Sequence, residues 1–372
     1  MATDLQRRRL LAALPAGFIL AHLPAPARAA FAAEPPLLTC WADSPSRPRH
    51  FFAGRSTDIS HAFELPARGH ELAWHPSGDG SAVVAARRPG RFLLRWDVAS
   101  GQQLAAFDVY DADEDIRLEG HLSFSRDGRL LFATESELIN GHGRVGVYDA
   151  LTLQRLAAWP TGGLGPHALM QLTDGRIAVA NGGILTLPET GRLKRNLDSM
   201  DPTLALLDPE DGRVLAQYRV PDPWMSVRHI AQAADGRIAV SLQNEAGDAA
   251  DTTRARPLFA LLTDEGLRYG TATPEVLAAC GGYAGDIVAI DGPTGPVFAV
   301  SCSVAGTLAL WEADGSFIGH LPSPGVCALT ATRGGLLATG DGGDLWAVAP
   351  GEARAQAHWP HAFAFDNHAR PG

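Results

Sequence analysis

A four-strand unit recurs along this chain at intervals of about 50 residues, and no other feature narrows the possible folds so far. Its plan is a short strand, a turn at Gly, a second strand, a third ending in an aromatic residue or Leu plus an acid, and a fourth. In the clearest copy His121-Leu-Ser-Phe-Ser-Arg-Asp-Gly128 leads into Arg129-Leu-Leu-Phe-Ala-Thr-Glu135, then Val145-Gly-Val-Tyr-Asp149, then residues 153–159. The turn recurs at Gly78, Gly128, Gly175, Gly236, Gly292 and Gly334. The third strand recurs at Trp96-Asp97, Tyr148-Asp149, Leu207-Asp208, Leu262-Thr263, Trp311-Glu312 and Trp346-Ala347. Short alternating or apolar stretches between turn signals are strand patterns.

Antiparallel four-stranded units repeated in this way are the blades of a β-propeller. The termini supply a seventh. Residues 361–368 read as a first strand without partners, and 37–43, 51–58 and 59–64 as three strands lacking a first one. Pairing them closes the ring and protects both sheet edges. The expected fold is all-β: one seven-bladed β-propeller domain over residues 30–372, its last blade closed by N-terminal strands plus the C-terminal strand. The 40 Gly and 26 Pro, with 46% hydrophobic and only 19% charged residues, exclude a disordered chain, a coiled coil and a mainly helical bundle. The net charge of −10, with Lys194 the sole lysine and no basic block, argues against a nucleic-acid partner.

Gln6-Arg7-Arg8-Arg9-Leu10-Leu11, a weakly apolar run to Leu23 and Ala27-Arg28-Ala29 read as a twin-arginine signal peptide over residues 1–29, so a periplasmic protein is expected. Pro15, Gly17 and Pro24 interrupt the apolar run too often for it to span a bilayer, and no later stretch is long enough, so no transmembrane segment is expected. Cys40, Cys280, Cys302 and Cys327 form no CxxC or CxxCH. One disulfide is plausible, its pairing open, and covalent haem is excluded.

Because first and second strands are antiparallel, the start of one and the end of the other share a face. First strands open with His70, His121, His167, His229, Gly285, Cys327 and His368. Second strands end at Arg87, Glu135, Asn181, Gln243, Cys302 and Asp341. Both sets are expected to ring one mouth of the central channel. Inner strands roughly 10 Å apart would let two or three imidazoles converge on one ion. The expected ligands are His70, His121, His167, His229, His368 and Cys327, with Cys327 biasing toward softer metals. Arg68, Arg228, Asn181, Gln243, Asp366 and Asn367 could orient ligands or bind an anion. A structural alternative is the WD-repeat pattern, in which a Gly-His pair bonds to the third-strand acid; Gly69-His70 and Gly120-His121 precede Asp97 and Asp149. The acidic loop entering blade 2 contains Asp111-x-Asp113-x-Asp115, but Ile116 and Leu122 stand where a calcium loop needs Gly and Glu.

Arg68-Gly-His70, Glu119-Gly-His121, Gly165-Pro-His167, Asn181-Gly-Gly-Ile184, Asn196-x-Asp198-x-Met200-x-Pro202, Ser226-Val-Arg-His229 and Asp366-Asn-His368 resemble the periplasmic family catalogued as domain of unknown function 1513. The resemblance covers nearly all of the mature chain. It implies a twin-arginine-exported propeller, encoded beside imelysin-like and di-haem proteins of iron handling, and adds Asn196 and Asp198 to the candidate binding residues. Leu187 departs from the pattern, standing where that family is expected to carry a His. His121 and Glu135 are also similar to the His and Glu of streptogramin-lyase propellers, where a metal and a His perform ring opening. No nucleotide loop, Gly-x-Ser-x-Gly or HExxH is present.

The leading expectation is a metal-binding propeller for iron or copper that serves metal uptake or transfer without turnover. The alternatives are a metal-assisted lyase or lactonase with His121 and Glu135 as acid/base pair, and a protein-docking scaffold.

Overall fold

The computed structural model describes residues 33–112, 115–186, 193–246, 255–349 and 355–372. The signal segment 1–29, Asp113, Glu114 and Leu187 lie outside the described residues. Seven antiparallel four-stranded sheets stand around one axis, making a seven-bladed β-propeller. The innermost strands are Gly69–Trp74 in blade 1, Ile116–Phe124 in blade 2, Pro166–Gln171 in blade 3, Met225–Gln232 in blade 4, Ile287–Asp291 in blade 5, Val326–Thr332 in blade 6 and Ala364–Pro371 in blade 7. Each packs against the next, and the last against the first, so the inner strands form a closed ring.

Blade 7 joins the two ends of the chain in the order Ala364–Pro371, Leu37–Ala42, Phe51–Arg55, Phe63–Leu65. Leu38 pairs with Arg370 and Thr39 with Ala369. Its boundaries differ from the expected ones. The inner strand starts at Ala364 rather than 361, and Ile59–His61 forms a 3₁₀ turn before the short outer strand. The reason is local: the Asp58 carboxylate accepts hydrogen bonds from Ser60 Oγ and His61 Nδ1, which competes with an extended backbone.

The apolar faces of the strands meet between blades. Each of the seven hydrophobic clusters joins two neighbouring blades. The aromatic residue of the third strand fills this space. Trp96 stacks on Phe63 of blade 7 at 5.7 Å, and Trp311 on Phe259 of blade 4 at 5.1 Å. Burying each such side chain contributes about 1.5–3 kcal/mol. The acid that follows it caps a hairpin: Asp97 accepts from the amide and hydroxyl of Ser100, and Asp149 from those of Thr152. The third-strand acids therefore do not hold the histidines, unlike the WD-repeat pattern. No helix among the described residues is long and apolar enough to cross a membrane.

Candidate metal centre

The ladder between first and second strands is interrupted at one recurring place. Its register shifts between Gly69 and Leu72, Leu118 and Leu122, Pro166 and Leu169, Val227 and Ile230, and Val326 and Leu329. The inner strand of blade 7 shifts likewise between Phe365 and Ala369. His70, His121, His167, His229, Cys327 and His368 all lie inside these interruptions. A bulge bends the strand and re-aims a side chain, and here it turns five imidazoles toward the axis. Gly120 shows how tight the packing is. It adopts φ +103°, and a Cβ there would stand 2.8 Å from the His70 ring, so only glycine suits that position.

The five rings form a buried layer across the channel, each at most 7% exposed. His121 is its hub, with ring centroids 4.9 Å from His70, 4.6 Å from His167, 5.0 Å from His229 and 4.8 Å from His368. Blades 4 and 7 are not neighbours of blade 2, so these rings meet across the axis. Two groups of three emerge, His70 with His121 and His368, and His121 with His167 and His229. Within each, ligand nitrogens lie within 4.8 Å of one another. Metal–nitrogen bonds of about 2.0–2.1 Å place tetrahedral donors roughly 3.4 Å apart, so modest ring movements would close either group on an ion.

Three of the imidazoles are backed by carboxylates. His121 Nδ1 is 2.8 Å from Glu71, His70 Nδ1 is 3.3 Å from Asp366, and His368 Nδ1 is 3.7 Å from Asp286. An ionised carboxylate only accepts, so Nδ1 carries the proton and Nε2 presents its lone pair. This is how carboxylates orient metal-ligating histidines. Two of these carboxylates stay ionised despite burial. Arg370 and His121 hold the Glu71 carboxyl well below its ordinary value, and His70 and Arg68 do the same for Asp366. Burial pushes His70, His167 and His229 well below the usual imidazole value, and lowers His121 against the pull of Glu71. Only His368 is raised, because Asp286 and Glu71 outweigh its burial.

Several ring nitrogens are buried without any partner: Nε2 of His121 and His368, Nδ1 of His167, and both nitrogens of His229. Each costs about 1–3 kcal/mol if left unpaired, and five together approach the net stability of a domain. Neutral imidazoles with unpaired lone pairs are the donors that Fe, Cu, Zn or Ni accept, so the residues present fit a transition-metal ion.

The layer separates two cavities, which corrects the expectation of a site at an open mouth. On the strand-start side a cavity of about 30 Å³ is lined by Arg87, Arg88, Arg228, Tyr283 and Asn367 together with His70, His167 and His229. On the other side a cavity of about 340 Å³ reaches His121, His229 and His368 beside Glu71, Asp286 and Arg370.

The remaining candidates divide. Asp366 orients His70 and pairs with Arg68, which also reaches Asn367 at 3.4 Å. Cys327 belongs to neither group. Its thiol donates to the carbonyls of Thr339 and Asp366 at 3.4 and 3.3 Å, and burial raises it to about 12. The side chain is engaged with its own blade and with blade 7 instead. Glu135 does not pair with His121. Its carboxylate lies over Gly146 and accepts from Tyr148 Oη and from Arg155 at 2.7 Å. Strand alternation explains this. Thr134, one residue earlier, faces the bulge and accepts the His121 amide at 3.3 Å, so Glu135 points to the opposite face.

Asn181 donates to the Thr161 carbonyl of blade 2 and to the Thr203 hydroxyl of its own blade. Asn196 donates to the Gly183 carbonyl and accepts the Leu185 amide, which orders the blade-3 loop. Asp198 is exposed on that loop, and Gln243 pairs through its backbone with Ser226 and Tyr283. None of these four joins the layer. All four cysteines are buried and free, and the Cys302 thiol is hydrogen-bonded to Cys280.

Sequence reasoning missed Glu71, Asp286 and Arg370, each adjacent to or two residues from a first-strand candidate. It also missed a set of buried hydroxyls on second strands. Ser241 accepts the His229 amide at 3.1 Å, Thr39 donates to the His368 carbonyl at 3.1 Å and Ser301 to that of Cys327 at 2.8 Å. A Ser or Thr recurring at one second-strand position was the available signal.

The fold and layer define a class, a seven-bladed propeller with a histidine cluster closing its axis. The chain belongs to the family described as "Protein of unknown function (DUF1513)", whose family model matches residues 63–371. No curated protein matches it. Among solved structures, hydrazine synthase of Kuenenia stuttgartiensis is similar at 14% identity and TM-score 0.52, over 71% of each chain. The computationally designed Ika8 protein is similar at 13% identity and TM-score 0.54, over 90% of this chain and 87% of that one. Raptor of Chaetomium thermophilum is similar at 9% identity and TM-score 0.56, over 80% of this chain and 25% of that one. These likenesses concern the fold.

Proposed function

We propose that this propeller binds iron or copper at its axial histidine layer and serves metal uptake or transfer in the periplasm, after twin-arginine export. The observation that carries the reading is the pair of carboxylate-backed imidazoles, His121 and His368, whose opposite nitrogens are buried and unpartnered. Two triads that share His121 favour movement of an ion over permanent fixation, because one hub cannot serve both at full strength. The lyase reading loses support, since Glu135 is committed to Tyr148 and Arg155.

The test is elemental analysis with an absorption spectrum on protein exported by its own signal and purified without a His-tag. Near-stoichiometric iron or copper is expected, lost when His121 and His167 are both changed to Ala while the far-UV spectrum stays that of a folded propeller. Protein that is metal-free and takes up neither added iron nor added copper overturns the proposal.

A further inference from the structure

Arg228 stands out among the charged groups of the channel. It is 5% exposed, yet among the described residues no carboxylate lies within ion-pair distance of it. The acids that act on it through space are committed elsewhere. Glu119 accepts from Arg117 at 2.7 Å, and Glu245 is paired with Lys194. Arg88, 3.9 Å from Glu119, adds like charge nearby. A buried cation without a counter-ion costs several kcal/mol, and this one lines the cavity on the strand-start side of the histidine layer.

We propose that this cavity binds a small planar oxyanion of the carboxylate or carbonate class, held by Arg228 and Arg88. Charge selects an anion, and the flat guanidinium fork selects a planar one with two oxygens to accept in parallel. Volume sets the size. One water needs about 10–15 Å³ on this measure, so a cavity of about 30 Å³ admits formate or bicarbonate and excludes citrate. His167 and His229 line the same cavity, so the anion would sit beside the second triad and offer an oxygen to an ion held there. That last role rests on the proposed metal function; anion binding does not.

The experiment is calorimetric titration of the metal-free protein with sodium formate and sodium bicarbonate at constant ionic strength, and with citrate in parallel. Saturable one-site binding of formate and bicarbonate is expected, with none for citrate, and Arg228→Gln weakens it by about tenfold or more. Absence of saturable binding in the wild type, or undiminished binding in a folded Arg228→Gln, overturns the inference. If near-UV dichroism shows Arg228→Gln misfolded, Arg88→Gln replaces it, with a several-fold loss expected and unchanged affinity counting against the site. Anion binding by a protein that takes up no metal refutes the function proposed above and leaves this inference standing. Metal uptake without anion binding does the reverse.

Discussion

Blades 1 to 4 and blade 7 each bring a histidine to the axis, whereas blades 5 and 6 bring none. Blade 6 keeps the bulge, but fills it with Cys327, whose thiol bonds sideways to Thr339 and Asp366. Blade 5 has no such register shift and offers Asp286, which accepts the Leu329 amide of blade 6 at 2.9 Å and faces His368. The imidazoles therefore come from five consecutive blades, and the other two supply a carboxylate and part of the wall of the larger cavity. With three imidazoles in each group, an ion there would keep a coordination position open, as exchange requires and a closed structural site does not.

Substitutions on the two arcs test this division. The largest effect is expected from Glu71→Gln on the histidine side. It replaces the charged acceptor that orients His121, the residue common to both triads, with a neutral amide, and should lower metal affinity by about 10–100-fold in competition with a chelator. Unchanged affinity would show that Glu71 is not an orienting group.

Acid should destabilise the metal-free protein next most strongly. His70, His121, His167 and His229 have folded values below the unfolded value of about 6.5. The unfolded chain thus binds more protons as pH falls, so stability is full above about 6.5 and declines below it. His368 works the other way, since its raised value favours folding at low pH, but it is one against four. Glu71 and Asp366, both lowered, add to the loss once pH falls below about 4. The denaturant midpoint at about pH 5.5 should lie clearly below that at about pH 8, and an equal midpoint would contradict neutral buried imidazoles.

Glu135→Gln should cost about 1–3 kcal/mol of stability through Tyr148 and Arg155 and leave metal content intact. Loss of metal would return Glu135 to the site. The smallest effect is expected on the other arc, where Cys327→Ala should leave metal stoichiometry unchanged and shift the melting temperature by only a few degrees, about 1 kcal/mol. A drop in metal content there would make blade 6 a ligand donor after all.

The blade count, the closure of blade 7 by both ends of the chain and the five axial histidines were legible because each is a periodic property. Gly turns, third-strand aromatics and first-strand histidines recur at one repeat position, and periodicity survives in a single sequence. The carboxylates were not legible, because Glu71 and Asp286 occur once each and act on histidines of other blades, across 50 and 82 residues of chain. Glu135 was misjudged by a single step of strand alternation, which no repeat can resolve when Thr134 and Glu135 are both polar.

The sequence by itself thus determined a closed ring of seven sheets and the level at which histidines enter it, since hydrogen-bond register and burial of aromatic faces are set locally and repeat. Only the tertiary structure decided which imidazoles meet, which carboxylates stand behind them and which buried cation has no carboxylate at ion-pair distance among the described residues. Those depend on bulges that re-aim side chains by a few ångströms across the axis, and on distances between groups that the chain order does not bring together.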